Sequence, residues 1–383
     1  MRLALIRQRY TPFGGAERFI ERAVGALEKS GASVTLITRA WKVGGGRRAI
    51  IVDPPYAGRL WRDAAFSRSV QAMLGRERFD LVQSHERIPG CDLYRAGDGV
   101  HRQWLDHRLK VAPLAERIGI HLNPYHWYVC AAERKMFEHP ALRAVICNSR
   151  MVAGEIGARF SIAPEKLHVI YNGVDLEYFN PVSREASRQL SRKKFGFADS
   201  DRVFCFVGSG FARKGLSAAI DALAATGNRD MKLLVAGHDR SAARFASQAA
   251  SRGVSDRVTF AGAIEDVRAV YAASDCFILP TRYDPFPNAA LEALASGLPA
   301  IVSTQCGAAE IIEPGRNGWI CEADAPARLS ELMIVSAKAP RETIGAAARV
   351  TAEAFGIDSM ADRMIGLYEK LLGRPPAAGI GGS

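Results

Sequence analysis

Two short stretches place charged residues where a phosphate-bearing ligand can be handled. The first is Gly208-Ser-Gly-Phe-Ala-Arg213-Lys214-Gly215, which follows the apolar run Arg202–Val207. Arginine offers phosphate a planar, bidentate fork and lysine a compact point charge. The second stretch, Thr281–Pro299, reads TRYDPFPNAALEALASGLP and carries two acids, Asp284 and Glu292. Glu292 is suited to accept hydrogen bonds from a vicinal diol such as a ribose, with Asp284 nearer a second polar group.

The elements that must position these groups are legible around them. Cys276–Pro280 reads as a buried strand, and Pro285 and Pro287 fix φ on either side of Phe286, which stiffens the loop. Asn288 is expected to cap a helix over Ala289–Ala295, which Gly297 and Pro299 then stop. The N–H groups and positive dipole end of that helix suit an anionic ligand.

An acid, seven residues and a glutamate followed by A-L-A-S-G-L-P resembles the signature of the family 4 retaining glycosyltransferases, and G-x-x-x-x-R-K-G is similar to that family's diphosphate loop. The resemblance runs over residues 1–372. It implies an α/β protein with two Rossmann-like doubly wound domains facing a cleft, the B-type glycosyltransferase fold. It assigns the donor diphosphate to Arg213 and Lys214, the donor sugar to Asp284 and the ribose to Glu292, with Phe286, Pro287, Asn288 and Ala289 lining the donor loop. Two departures bear on sugar choice. The family's usual first glutamate is Asp284, and its usual glycine is Pro287, which has no N–H to offer.

Further positions take roles from the same resemblance. Gly14 and Gly15 read by themselves either as a tight turn or as a loop that lets backbone N–H groups approach phosphate; in the family this loop lies across the cleft from the diphosphate. The P-F-G-G run there matches the lipopolysaccharide core glucosyltransferase I subfamily. Asp98, with His101 in reserve, takes the place of a polar residue beside the reacting centre; the alternative is a solvated loop group. His85 is placed away from the chemistry, and Glu310 is a candidate third acid near the sugar. Asn172-Gly-Val-Asp175 matches the turn that ends the family's first domain.

Composition sets the frame. The 383 residues are enough for two domains, and 48% hydrophobic with 24% charged residues is the balance of a soluble globular chain. No apolar run reaches membrane-spanning length, and MRLALIRQRY lacks the apolar run of a signal peptide. The seven cysteines form no C-x-x-C pair and read as reduced thiols in a cytosol. A net charge of +11 points to nucleic acid, an anionic membrane surface or a phosphorylated substrate. The absence of zinc-finger spacing, an RNP-like motif or a lysine-rich tail argues against nucleic acid.

In chain order, strands are expected at Leu3–Arg7, Ser33–Thr38, Ala49–Val52, Phe79–Ser84, Leu142–Asn148 and Lys166–Asn172, with a helix from Ala16 to Ser30. The second half restarts with Arg202–Val207, Lys232–Gly237, Val258–Gly262, a helix over Ile264–Ser274, and Ala300–Ser303. The expected domains are 1–175 and 176–354, with 176–201 as a charged linker region, the amphipathic helix 355–372 returning to the first domain, and a disordered tail at 373–383. Between His101 and Pro140, aromatic residues interleave with cations. Trp104, Arg108, Lys110 and Trp127 read either as the headgroup-level belt of an anionic bilayer or as parts of two ordinary helices packed on the sheet. The resemblance favours membrane docking.

Together these readings predict a hexosyltransferase that uses a nucleotide sugar, with UDP-hexose expected and GDP-mannose the alternative. The expected acceptor is a lipopolysaccharide core or lipid-linked glycan, and the expected place is cytoplasmic, peripheral on the inner membrane. No metal or other cofactor is expected, since neither D-x-D nor a His/Cys cluster is present. A sugar-nucleotide epimerase and a non-catalytic basic binding module are the rivals from other classes.

Overall fold

The structure, a computed structural model, describes residues 1–8, 24–25, 27–28, 31–40 and 48–374. It divides into two compact units, Met1–Tyr171 with Asp358–Ser383, and Asn172–Ile357.

The first unit is built on a parallel sheet of β1 (Arg2–Ile6), β2 (Ser33–Thr38), β3 (Arg48–Ile51), β4 (Leu81–Ser84), β5 (Leu93–Ala96), β6 (Ala144–Cys147) and β7 (Leu167–Val169). Its order is β3-β2-β1-β4-β5-β6-β7. Helices cover both faces, so the strands read as nearly continuous apolar runs. Phe66 and Val70 of the helix Gly58–Leu74 close over Ala4, Ile6 and Ile37, and Met136 and Phe137 pack with Tyr94, Val145 and Ile156. The amphipathic helix Ile357–Leu372 buries Met360, Met364 and Tyr368. The sulfurs of Met360 and Met364 receive the buried Arg95 guanidinium at 3.8 and 3.6 Å, and the Tyr368 hydroxyl donates to Gln83 Oε1 at 2.7 Å.

The second unit repeats the plan with β8 (Arg202–Val207), β9 (Met231–Ala236), β10 (Val258–Gly262), β11 (Cys276–Leu279), β12 (Ala300–Ser303) and β13 (Gly318–Cys321). Its order is β10-β9-β8-β11-β12-β13, all parallel. In each sheet the order reverses beside the first strand, between β1 and β4 and between β8 and β11. An open parallel sheet binds its ligand outside the carboxyl ends of the strands at that point.

Several expectations are corrected. Residues 176–201 are no linker region: Pro181–Phe195 is a helix, capped by Asn180 Oδ1 on the Ser183 N–H at 2.8 Å and closed by Gly196 at φ 77°. Its Arg192 is 2% exposed and donates to the carbonyls of Ala198, Asp201 and Ala273. Strands β5 and β13 are additional. The helix expected over Ile264–Ser274 is confined to Arg268–Ala273, and the strand expected at Lys166–Asn172 to Leu167–Val169. Residues 101–137 form three helices rather than two: His101–Val111, Leu114–Leu122 and Pro124–Phe137. Gly14, Gly15, most of the helix expected at Ala16–Ser30 and the tail from 375 onward lie outside the described residues. All seven cysteines are free thiols.

Candidate functional site

Strand β8 delivers its loop at the reversal point of the second unit. Gly208 follows the strand at φ 139°, and a Cβ there would lie 2.8 Å from Lys214 Cε, so glycine leaves room for the lysine stem. The loop then turns on Asp239, whose carboxylate accepts the Phe211 N–H at 2.7 Å. Gly215, at φ 82°, starts the helix Leu216–Ala225; its missing Cβ would meet the Pro280 carbonyl oxygen at 2.0 Å.

The loop after β11 is stitched to this turn. The Arg282 N–H and the Thr281 hydroxyl both donate to the Arg213 carbonyl, at 2.9 and 3.1 Å. Arg213 Nη1 donates in turn to the Tyr283 carbonyl at 2.6 Å. Asp284, only 6% exposed, sits between the cations, its Oδ2 2.9 Å from Lys214 Nζ and 3.4 Å from Arg213 Nη1. Burial opposes its ionisation, but Lys214 and Arg213 override this and hold the carboxyl below its ordinary value. Counting two cations and one carboxylate, the cluster carries one positive charge. It is complementary to a diphosphate, whose oxygens would complete its neutralisation.

Asn288 does not cap the following helix. Asn288–Ala295 begins at Asn288 with Pro287 in the capping position at φ −72°, and Asn288 Oδ1 instead accepts from Asn172 Nδ2 at 2.8 Å. Asn172 also donates to the Phe286 carbonyl at 3.0 Å, so the N-G-V-D turn is tied to the loop between β11 and this helix. Phe286 and Pro287 are buried; Ala289 and Glu292 are half-buried. Glu292 Oε2 accepts the hydroxyl of Tyr271 at 2.9 Å, and that tyrosine is fully buried on the helix Arg268–Ala273. Tyr271 was not singled out in the sequence. Its spacing is that of an ordinary core residue, and only the fold brings its hydroxyl to Glu292. Glu310 is half-buried on the 3-10 helix Gly307–Ile311, whose first N–H donates to the Asp284 carbonyl at 2.9 Å.

In the first unit, Asp98 is exposed in the turn after β5. His101 opens the next helix, its N–H donating to Glu133 Oε1 at 2.7 Å and its Nε2 lying 3.0 Å from His126 Nδ1. Burial, then Arg87, His126, Arg59 and Arg108, push the His101 ring down to about 3, so it is neutral near pH 7. Glu86, which the sequence does not distinguish, stands at the reversal point after β4. It accepts the Gln8 N–H at 2.9 Å, and burial raises its carboxyl above the ordinary value. A raised carboxyl at the carboxyl ends of a doubly wound sheet marks a candidate functional group. Trp104 is half-buried beneath the Arg108 guanidinium at 5.8 Å, Lys110 is exposed and Trp127 is 60% exposed. Among the described residues, no group of three or more His, Cys, Asp or Glu is arranged to hold a metal ion, and no helix is long and apolar enough to cross a membrane.

Two doubly wound parallel sheets, with a cation pair and acid loop at the reversal point of the second, are the arrangement of the B-type glycosyltransferase fold, and each half of the chain matches a glycosyltransferase family model. Residues 13–178 match the family described as Glycosyltransferase Family 4, and residues 187–349 match Glycosyl transferases group 1. The chain is similar to the lipopolysaccharide glucosyltransferase WaaG of Escherichia coli K12, at 26% identity over 87% of this chain and 88% of that protein. The WaaG crystal structure superposes at TM-score 0.82, with 22% identity, over 98% of this chain and 100% of that one. The Anabaena protein HepE, crystallised with UDP-glucose, superposes at TM-score 0.73, with 18% identity, over 97% of this chain and 99% of that one.

Proposed function

We propose that the chain transfers a hexose, with retention at the anomeric carbon, from UDP-glucose or a related UDP-hexose to a lipopolysaccharide core or other membrane-associated glycan. The observation that carries this reading is the Arg213–Lys214–Asp284 cluster at the reversal point of the second sheet. In the step proposed, the bond from the anomeric carbon to the β-phosphate oxygen breaks. The acceptor oxygen bonds to that carbon on the same face, and the acceptor proton passes to the departing diphosphate. Arg213 and Lys214 stabilise the charge that develops, Asp284 orients the sugar and Glu292, held by Tyr271, takes the ribose. The cation pair supplies the charge that many transferases take from a metal, so the reaction is expected to proceed without one. UDP is favoured because HepE was crystallised with UDP-glucose and WaaG is named a glucosyltransferase.

Attachment to a membrane rests on the first unit's own surface. Leu114, Ile118 and Leu122 recur one helical turn apart and are 72%, 51% and 68% exposed, with Val111 and Trp127 also exposed. An apolar stripe among cations suits insertion at the headgroup level of an anionic bilayer, which supports the reading of a peripheral enzyme working at the cytoplasmic face of the inner membrane. The test is transfer from radiolabelled UDP-glucose to a purified core acceptor, with the product's anomeric configuration read by NMR. An α-linked product from the α-linked donor is expected; a β-linked product would refute retention, and transfer from GDP-mannose alone would refute the UDP donor.

A further inference from the structure

The second unit holds a cavity of about 790 Å³ far from the cation–acid cluster, at the opposite, amino ends of its strands. Arg202 opens β8, Cys276 opens β11 and Pro299 precedes β12; all three line it. Across a six-residue strand such as β8, the two ends are about 20 Å apart. The helices Pro181–Phe195, Pro326–Lys338 and Arg341–Glu353 form the walls, and Phe204, Ile344 and Pro299 give it an apolar lining. The volume falls in the class of small-molecule sites, about 300–1,000 Å³.

Its charge is lopsided. Asp275 is the one acid held in the wall, and it is already engaged by Arg188 at 2.7 Å, Arg192 at 3.4 Å, Arg341 at 3.4 Å and the Val203 N–H at 2.8 Å. The other lining acids, Glu185 and Glu342, are exposed like Arg341, and Glu185 acts through space on both Arg184 and Arg341. With Arg188 and Arg192 behind the lining Arg184, Arg202, Arg341 and Arg349, six guanidiniums face three carboxylates. Arg349 is taken up by the carbonyls of Leu176, Phe179 and Ala295. Arg184 donates to the carbonyls of Tyr271 and Ser274; burial, then the neighbouring Arg188 and Arg341, lower its guanidinium to about 10. The guanidiniums outnumber the carboxylates that answer them, around an apolar floor. The charge complement of such a space is an anion, and its surface complement is a hydrocarbon body.

We propose that this cavity is a second ligand site, for a soluble organic anion that carries a phosphate or carboxylate on an apolar ring or short chain. The anionic group meets Arg184, Arg202 and Arg341, and the apolar body lies on Phe204 and Ile344. The cavity is concave and sized for one small molecule, which sets it apart from the exposed Leu114–Leu122 surface of the first unit.

The test is fluorescence titration of the full chain with anilinonaphthalene sulfonate, an aromatic anion whose emission rises in apolar surroundings. Saturable binding to the wild-type protein is expected. Ala346→Trp, which projects a large ring into the cavity from an exposed helix position, should weaken it severalfold. Arg341→Ala, at a side chain 42% exposed and so tolerant of change, should weaken it about tenfold, the loss of one charge-assisted contact. Lys214→Ala, at the other end of the sheet, should leave it unchanged. Displacement of the dye by phenyl phosphate more readily than by benzoate would identify phosphate as the preferred group; the reverse order would identify carboxylate. Dye binding that survives both Ala346→Trp and Arg341→Ala at full strength would overturn the site. So would binding lost in Lys214→Ala or Ile118→Ser but kept in full in Ala346→Trp.

Discussion

Lys214→Ala probes the cation pair most sharply, because it separates what the lysine contributes to folding from what it contributes to transfer. Lys214 Nζ lies 2.9 Å from Asp284 Oδ2, with the two side chains 11% and 9% exposed. At an effective dielectric of about 20, that separation corresponds to about 6 kcal/mol of gross attraction. Desolvation of both groups offsets most of it, and removing one partner of such a buried pair costs about 3–5 kcal/mol. Arg213 Nη1, 3.4 Å from the same oxygen, remains to hold the carboxylate. Its side chain is 33% exposed, so water weakens that substitute, and a stability loss of about 2 kcal/mol is expected. The effect on rate should be larger, since one fixed donor at a developing charge contributes about a hundred- to a thousandfold. The assay pairs initial transfer rates at saturating UDP-glucose with urea unfolding of the same preparation. A fall in kcat of that size, in a protein still folded under assay conditions, is the expected result, with partial recovery in Lys214→Arg. A kcat within about threefold of wild type would refute the leaving-group role, because that is under 1 kcal/mol of barrier.

Other perturbations address the parts around that pair. Glu292→Ala should weaken UDP binding by about 2 kcal/mol, as expected for hydrogen bonds to a charged group, with little change in the thermal midpoint; Tyr271→Phe, which releases Glu292 without removing it, should give a smaller loss of the same sign by calorimetry. Gly215→Ala forces a side chain into φ 82° with its Cβ 2.0 Å from the Pro280 carbonyl oxygen. A destabilisation of more than about 2 kcal/mol should follow, and an unchanged midpoint would count against the geometry of this turn. His101 is depressed to about 3 in the folded chain against about 6.5 unfolded, so the unfolded state binds the proton first. Its contribution to stability is therefore present above about pH 6.5 and lost as pH falls towards 3; His101→Gln should flatten that part of the stability profile, measured by urea unfolding.

How much of this was legible in the sequence depended on how local the signal was. Apolar strands such as Arg202–Val207 and Ser33–Thr38 stand where the sequence puts them, because a buried parallel strand needs little beyond its own composition. The R-K-G and D-x7-E spacings marked the groups around the reversal point for a similar reason, since glycine geometry and helix starts are local. Strand β5 was hidden by Arg95, a charge in a fully buried run whose guanidinium reaches the sulfurs of Met360 and Met364, residues distant in sequence. The helix Pro181–Phe195 was hidden by its charge. Its signals were present at the ends, in Asn180-Pro181 and Gly196, and its arginines are satisfied by carbonyls distant in sequence. Asn288 has the residue type of a cap, but a tertiary partner, Asn172, takes its side chain. Tyr271 and Glu86 gave no pattern at all, because what distinguishes each is a neighbour supplied by the fold.

The second unit is proposed to bind a nucleoside diphosphate sugar through Arg213, Lys214 and Glu292. Calorimetric titration of the purified chain with UDP, GDP and ADP tests it most directly, with the triple variant Arg213→Ala, Lys214→Ala, Glu292→Ala as the control. Saturable binding with UDP preferred, abolished in the triple variant while the fold is retained, is the predicted result. UDP binding of equal strength in the triple variant, or no binding of any of the three nucleotides to the wild-type chain, would contradict it.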